Sequence, residues 1–221
     1  MSNVLRNLDW SVLTGVLSSI IPALICITFH ELSHGFVAYK LGDPTAKDMG
    51  RLTLNPIKHI DIFGLIMMAV FGFGWAKPVP VNMMRFKKPK RYMAITALAG
   101  PVSNIVLSCF VLFIFGMVTK PLGGSAAGRI VLDMIYRTAY LSVALAIFNF
   151  IPIPPLDGSK VLFSLIPDDM YFKLMRYERY GMIILIVVLS TNVFDASVGR
   201  LTHALFGELF RIAQAAYSLV N

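Results

Sequence analysis

The run WSVLTGVLSSIIPALICITF, from Trp10 to Phe29, carries no charge across twenty residues and leads straight into His30-Glu31-Leu32-Ser33-His34. A stretch that long and that apolar is expected as a membrane helix. Two histidines and a glutamate at its far end constrain the fold more than any other feature, because burying them costs several kcal/mol unless something binds them. On a helix, His30 and His34 stand four residues apart, so both imidazoles leave one face about one turn apart. That spacing suits Zn²⁺, and Glu31 beside it can act as general base on a water at the metal.

Composition agrees with a polytopic membrane protein. Hydrophobic residues make up 57% of the 221 and charged residues 14%, against about 45–50% and about 25% in soluble domains. The net charge of +8 would suggest nucleic acid in a soluble protein. Here the basic residues lie in short loops between apolar runs, so the expected partner is a bilayer with anionic headgroups and not nucleic acid. The two cysteines, Cys26 and Cys109, fall in expected spans and are read as free thiols, with Cys26 a small buried residue and not a ligand. The N-terminal run carries the metal motif, so it is read as a retained span and not as a cleaved signal.

Read in order, span one covers about Trp10 to Lys40 and is stopped by Gly42, Asp43 and Pro44. Alternation from Arg51 to Leu54 predicts a short strand ended by Asn55-Pro56. Ile62–Trp75 is apolar but only fourteen residues long, about 21 Å as helix, and is expected to be re-entrant or interfacial. The prolines of AKPVPV, Ala76 to Val81, predict extended chain. A second span is expected over about Ala94–Val118, a Gly-rich loop over Lys120–Arg129 and a third span over about Ile130–Phe150, with Arg137 snorkelling near its start. A short helix should follow Gly158, a fourth span should cover about Gly181–Val193, and Val198–Val220 reads as an amphipathic tail on the membrane or against the bundle. The fold class is therefore an all-α polytopic membrane protein, a bundle of about four to six membrane segments with a small re-entrant β element. The whole of 1–221 forms one domain, with its core at about 10–165 and the C-terminal span and tail at 177–221. Of the twenty basic residues, ten lie between Lys40 and Arg91 and four between Lys160 and Arg179. The positive-inside rule then places those loops, and the metal motif near them, on the cytoplasmic side.

A catalytic zinc takes three protein ligands. Asp157, in NFIPIPPLDG from Asn149 to Gly158, stands where prolines free the backbone from helix. Locally it reads equally well as a ligand or as the N-cap of a helix from Ser159. His59 reads as a loop histidine at the interface.

FHELSHGFVAYKLGD, ALAGPVSNIV and NFIPIPPLDGSKVL resemble, in order, the three signature segments of the site-2 protease family of intramembrane zinc metalloproteases. The resemblance covers about Thr28 to Val161. It implies one zinc per chain held by His30, His34 and Asp157, with Glu31 as catalytic base. It also implies that Gly100 and Asn104 fill the family's GxxxN pattern and that Asn149 is the asparagine upstream of LDG, the two amides contacting substrate or the oxyanion. The chain looks like the compact form, without PDZ or CBS domains. RLTLNPIKHID and WAKPVPVN resemble stretches that form a re-entrant sheet able to receive an unwound substrate. One departure is Ile62, where proline is common after the aspartate at 61. The expected function is cleavage of transmembrane segments in other membrane proteins. The rival is a metal-binding membrane transporter or sensor using the same His/Asp cluster. Nothing in the sequence bears on oligomeric state or on which protein is the substrate.

Overall fold

The computed structural model describes residues 10–64, 75–191 and 195–220. Apolar sequence becomes helix here because a backbone in a bilayer must satisfy its own hydrogen bonds. Helix α1 runs Trp10–Lys40 and is stopped as the sequence indicates. Gly42 adopts a φ of +108°, the left-handed region that glycine tolerates best, and the Asp43 carboxylate then accepts the Thr45 N–H at 3.1 Å to start the one-turn helix α2, Thr45–Asp48. Helices α3 (Pro89–Gly123) and α4 (Ala126–Asn149) follow, then α5 (Asp157–Phe163), α6 (Asp168–Tyr177), α7 (Gly181–Ser190) and α8 (Asp195–Ser218).

Three of these, over Ser18–Lys40, Pro89–Gly123 and Ala126–Asn149, are long and apolar enough to cross a membrane. Four to six spans are thus more than the described helices show. The expected fourth span appears as α7, ten described residues, about 15 Å of helix and short of a bilayer core. The Gly-rich loop expected over Lys120–Arg129 shrinks to Gly124 and Ser125, because Ser125 Oγ caps α4 by accepting the Gly128 N–H at 2.9 Å. No strand occurs among the described residues, so the expected β element is not seen. Arg51–Leu54 and Val79–Val81 run as irregular, non-helical chain, the first passing into a 3-10 turn at Pro56–His59. No backbone bond joins the two among the described residues; Val79 N–H donates to Glu31 Oε2, and the nearest cross-link is Lys77 N–H to His59 O at 3.0 Å, with no ladder following it. Most of Ile62–Trp75 lies outside the described residues.

Helix α3 is the centre of the bundle, packed by α1, α4 and α8. Its contacts to α4 and α8 enclose Leu112, Ala139, Val143, Phe206 and Ala213. Tyr136 and Tyr140 of α4 set their rings edge-on to Phe206, with centroids 5.3 and 5.2 Å away. The tail expected on the membrane or on the bundle is therefore packed on the bundle. Buried hydroxyls and a thiol tie helix to helix: Ser108 Oγ donates to Ala139 O at 3.0 Å, Ser142 Oγ to Asn104 O at 2.8 Å and Cys26 Sγ to Thr138 O at 3.3 Å. Cys26 is thus buried against α4 and lies outside the group of donors close enough to hold an ion. Arg137 pairs with Asp133, Nε to Oδ2 2.6 Å, one turn back along α4.

Outward faces of α1 and α3 carry Ile25, Phe29, Phe36, Val102, Val106 and Phe110, all exposed, as lipid-facing surfaces require. Gly116 lets α3 and α8 touch. A Cβ there would lie 2.2 Å from Ala213 O and 2.8 Å from Ala216 Cβ. Gly116→Val is expected to destabilise the detergent-solubilised protein by about 1–3 kcal/mol. Gly199→Ala, with no atom within 4 Å of its Cβ, should leave the thermal midpoint unchanged. Thermal unfolding followed by circular dichroism measures both.

Candidate metal centre

His30 and His34 leave the same face of α1, their rings perpendicular and their centroids 4.6 Å apart. Asp157 opens α5, directly after the Pro-rich turn that ends α4. That turn brings a carboxylate to the two imidazoles. His30 Nε2 to Asp157 Oδ2, His34 Nε2 to Asp157 Oδ2 and Nε2 to Nε2 are all 3.1 Å. All three side chains are buried.

Three lone-pair donors aimed at one point would repel without a cation or shared protons between them. Tetrahedral zinc with bonds of about 2.0–2.1 Å holds its ligands about 3.3 Å apart, close to this spacing. The donor set of two imidazoles and one carboxylate fits zinc and leaves a fourth position open. Among the described residues, this is the only group of three such donors close enough to hold an ion.

The outer ring nitrogens are held as a zinc ligand needs. His34 Nδ1–H donates to Thr96 O of α3 at 2.7 Å, which leaves the Nε2 lone pair free. His30 Nδ1 lies 3.2 Å from Asn104 Nδ2, also on α3, and the Oδ1 of that amide is buried with no partner among the described residues. A ligating Nε2 requires the proton on Nδ1, and that selects the amide orientation with Oδ1 accepting it. Asn104 is fully buried and is not on the cleft wall. It stands behind His30, in contact with that candidate ligand. Asn149 does line the cleft, its Nδ2 donating to Leu145 O at 2.9 Å. His59 is buried under the loop, Nε2–H to Thr53 O at 2.9 Å, and does not reach the cleft.

Gly100 explains how α3 approaches the histidines. A Cβ there would sit 2.5 Å from His34 Nε2 and 2.6 Å from His30 Cε1. Gly100 permits a close approach, and the imidazoles of α1 make it. Sequence reasoning missed Thr96 and Val79, because each acts through a backbone group and carries no side-chain signal.

A cleft of about 350 Å³ opens on the three donors, walled by Glu31, Pro78, Val79, Thr96, Asn149 and Pro155, with the Lys160–Glu178 pair at its edge. A second arm of about 580 Å³ shares His30, Glu31, Pro78, Asn149 and Pro155, and is lined otherwise by apolar side chains including Ile27, Phe148, Leu156 and Leu185. The site therefore has one polar arm and one apolar arm meeting at Glu31.

Comparison with known proteins decides the family. The Bacillus subtilis protein named "Putative zinc metalloprotease YwhC" is 43% identical over 179 residues, 78% of this chain and 80% of its own length. Residues 116–191 match the profile of peptidase family M50. The chain belongs to peptidase family M50. Relatives with the same form of name include Rip2 of Mycolicibacterium smegmatis, 29% identical over 78% of this chain and 66% of its own. MJ0611 of Methanocaldococcus jannaschii is 34% identical over 61% and 63%. No solved structure matches the chain. As an M50 member the protein is a zinc metalloendopeptidase, and the His/His/Asp cluster fits that cofactor.

Gly100→Ala is expected to push both imidazoles aside and to empty the purified M50 protein of zinc while helix content stays near wild type. Elemental analysis beside circular dichroism measures this. Asn104→Ala should lower zinc affinity about 10–100-fold. Competition with a chelator of known affinity gives that number.

Proposed function

We propose that this chain is an intramembrane endopeptidase that cleaves transmembrane segments of other membrane proteins, using His30, His34 and Asp157 as zinc ligands and Glu31 as general base. The observation that carries the reading is the position of the donor cluster. It is buried between α1 and α3, both long and apolar enough to span a membrane, and its cleft continues into an apolar arm. A soluble peptide has no need of such an arm. A transmembrane segment entering between helices does.

Zinc, when bound, supplies Lewis acidity that activates water and polarises the scissile carbonyl. The chain's own residues do the rest. Glu31 accepts a proton from the attacking water and returns it to the leaving amine, so that the C–N bond breaks without expelling an anion. Asn149 has one amide hydrogen on Leu145 O and a second to offer to the carbonyl oxygen as it gains charge. Substrate backbone must be unwound before attack, since helical hydrogen bonds and side chains shield each peptide bond. The irregular chain around Val79, at the edge of the cleft, is where such an extended segment would lie, as the re-entrant element of the family implies. The loops rich in basic residues support an orientation with this end of the bundle at the cytoplasmic surface, against anionic headgroups. The metal-transit alternative has no observation in its favour, and the relatives are named as metalloproteases.

Glu31→Gln and Asp157→Ala separate the roles. Glu31→Gln should keep zinc and fold and lose at least about 100-fold in cleavage, the low end for general-base catalysis. Asp157→Ala should lose zinc itself. Zinc content and cleavage, measured in one preparation of each, test the assignment. Undiminished cleavage by Glu31→Gln or full zinc occupancy in Asp157→Ala would contradict it.

A further inference from the structure

Glu31 does not stand alone at the cleft. Its Oε2 accepts the backbone N–H of Val79 at 2.7 Å. Val79 lies between Pro78 and Pro80, neither of which has an N–H to offer. The segment around it is pinned on both sides. Upstream, Lys77 N–H donates to His59 O at 3.0 Å and Lys77 O accepts from Arg51 Nη2 at 2.8 Å. Downstream, Asn82 N–H donates to Asp43 Oδ2 at 2.6 Å. Asp43 and Arg51 are both buried, and both belong to the chain that continues directly from α1.

The sequence of α1 explains why the segment can lie so close. Gly35 follows Glu31 by four residues and shares its helix face. A Cβ at Gly35 would be 2.9 Å from Val79 Cγ1 and 2.6 Å from Leu52 Cδ2. One stripe of α1, His30 and His34, thus faces the donor cluster. The adjacent stripe, Glu31 and Gly35, receives residues 77–82.

We infer that residues 77–82 are a strap that positions the general base, with the Val79 N–H fixing one oxygen of Glu31 so that the other is presented to the water, and with Asp43 and Arg51 as the positioning residues that hold the strap. The inference rests on Glu31 being the base. The carboxylate has free rotation about three side-chain torsions without the strap, and a single short hydrogen bond from a clamped backbone removes most of that freedom. Because the clamps come from α1's own continuation, base and strap move together, and the alignment survives any shift of α1 against α3.

Two measurements test this. Hydrogen exchange over 76–82 should show the Val79 amide protected in the wild-type chain. Glu31→Ala should release it while Asn82 stays protected, and Asp43→Ala should release Asn82. Cleavage of a synthetic quenched-fluorophore peptide bearing one Ala/Leu-rich membrane helix gives the kinetic arm. Val79→Pro deletes the N–H between two existing prolines and is expected to lower kcat about 10–100-fold with zinc content unchanged. Val79→Ala, which keeps the N–H, should keep that amide protected from exchange. An ester in place of the Val79 amide, which removes the N–H and little else, should reproduce the proline variant. Unprotected Val79 in the wild type, or full kcat in both the proline and ester variants while Glu31→Gln is inactive, overturns the strap alone. Full activity in Glu31→Gln overturns the general-base reading beneath it.

Discussion

Everything in this structure depends on keeping two imidazoles and a carboxylate buried in an apolar bundle. Three such groups 3.1 Å apart need a cation or shared protons among them. The rest of the chain serves that condition. Helix α3 supplies the outer contacts through Thr96 and Asn104, and Gly100 between them leaves room for the rings. The Pro-rich turn after α4 delivers Asp157. Had α3 carried any side chain at position 100, it could not lie where its other two residues reach the histidines.

The same logic sets how the helices meet. Apolar packing alone does not drive association in lipid, so contacts are made by small residues and by hydrogen bonds. Ser108 and Ser142 bond across α3 and α4, and Ser142 does so on the carbonyl of Asn104, the residue behind His30. Bundle packing and the candidate metal centre therefore share one residue. Gly116 plays the complementary part by admitting α8 onto α3 at the end of the bundle away from the site.

Much of this was legible in the sequence, and for identifiable reasons. The long helices follow from charge-free runs, since a bilayer leaves the backbone no other option. The pair His30 and His34 was legible from spacing, and Asp157 from its place after a proline run together with the family resemblance. The placement of Asn104 was not legible: its motif does not say which way the amide points, and the fold turns it toward His30. The strand reading of Arg51–Leu54 rested on alternation. That pattern describes two faces but cannot say whether a partner strand exists, and here the neighbouring backbone is taken by Arg51, Asp43 and Glu31 side chains. Thr96 and Val79 were invisible because a backbone carbonyl or N–H has no letter in the sequence.

We propose that zinc sits among His30, His34 and Asp157 within the helical bundle. Zinc K-edge X-ray absorption on the purified protein tests it most directly. The account expects a four-coordinate ion with nitrogen and oxygen donors at about 2.0–2.1 Å, imidazole scattering from two histidines and no sulfur shell. A sulfur neighbour at about 2.3 Å, which would bring in Cys26 or Cys109, or an unchanged spectrum after His34→Ala, would contradict it.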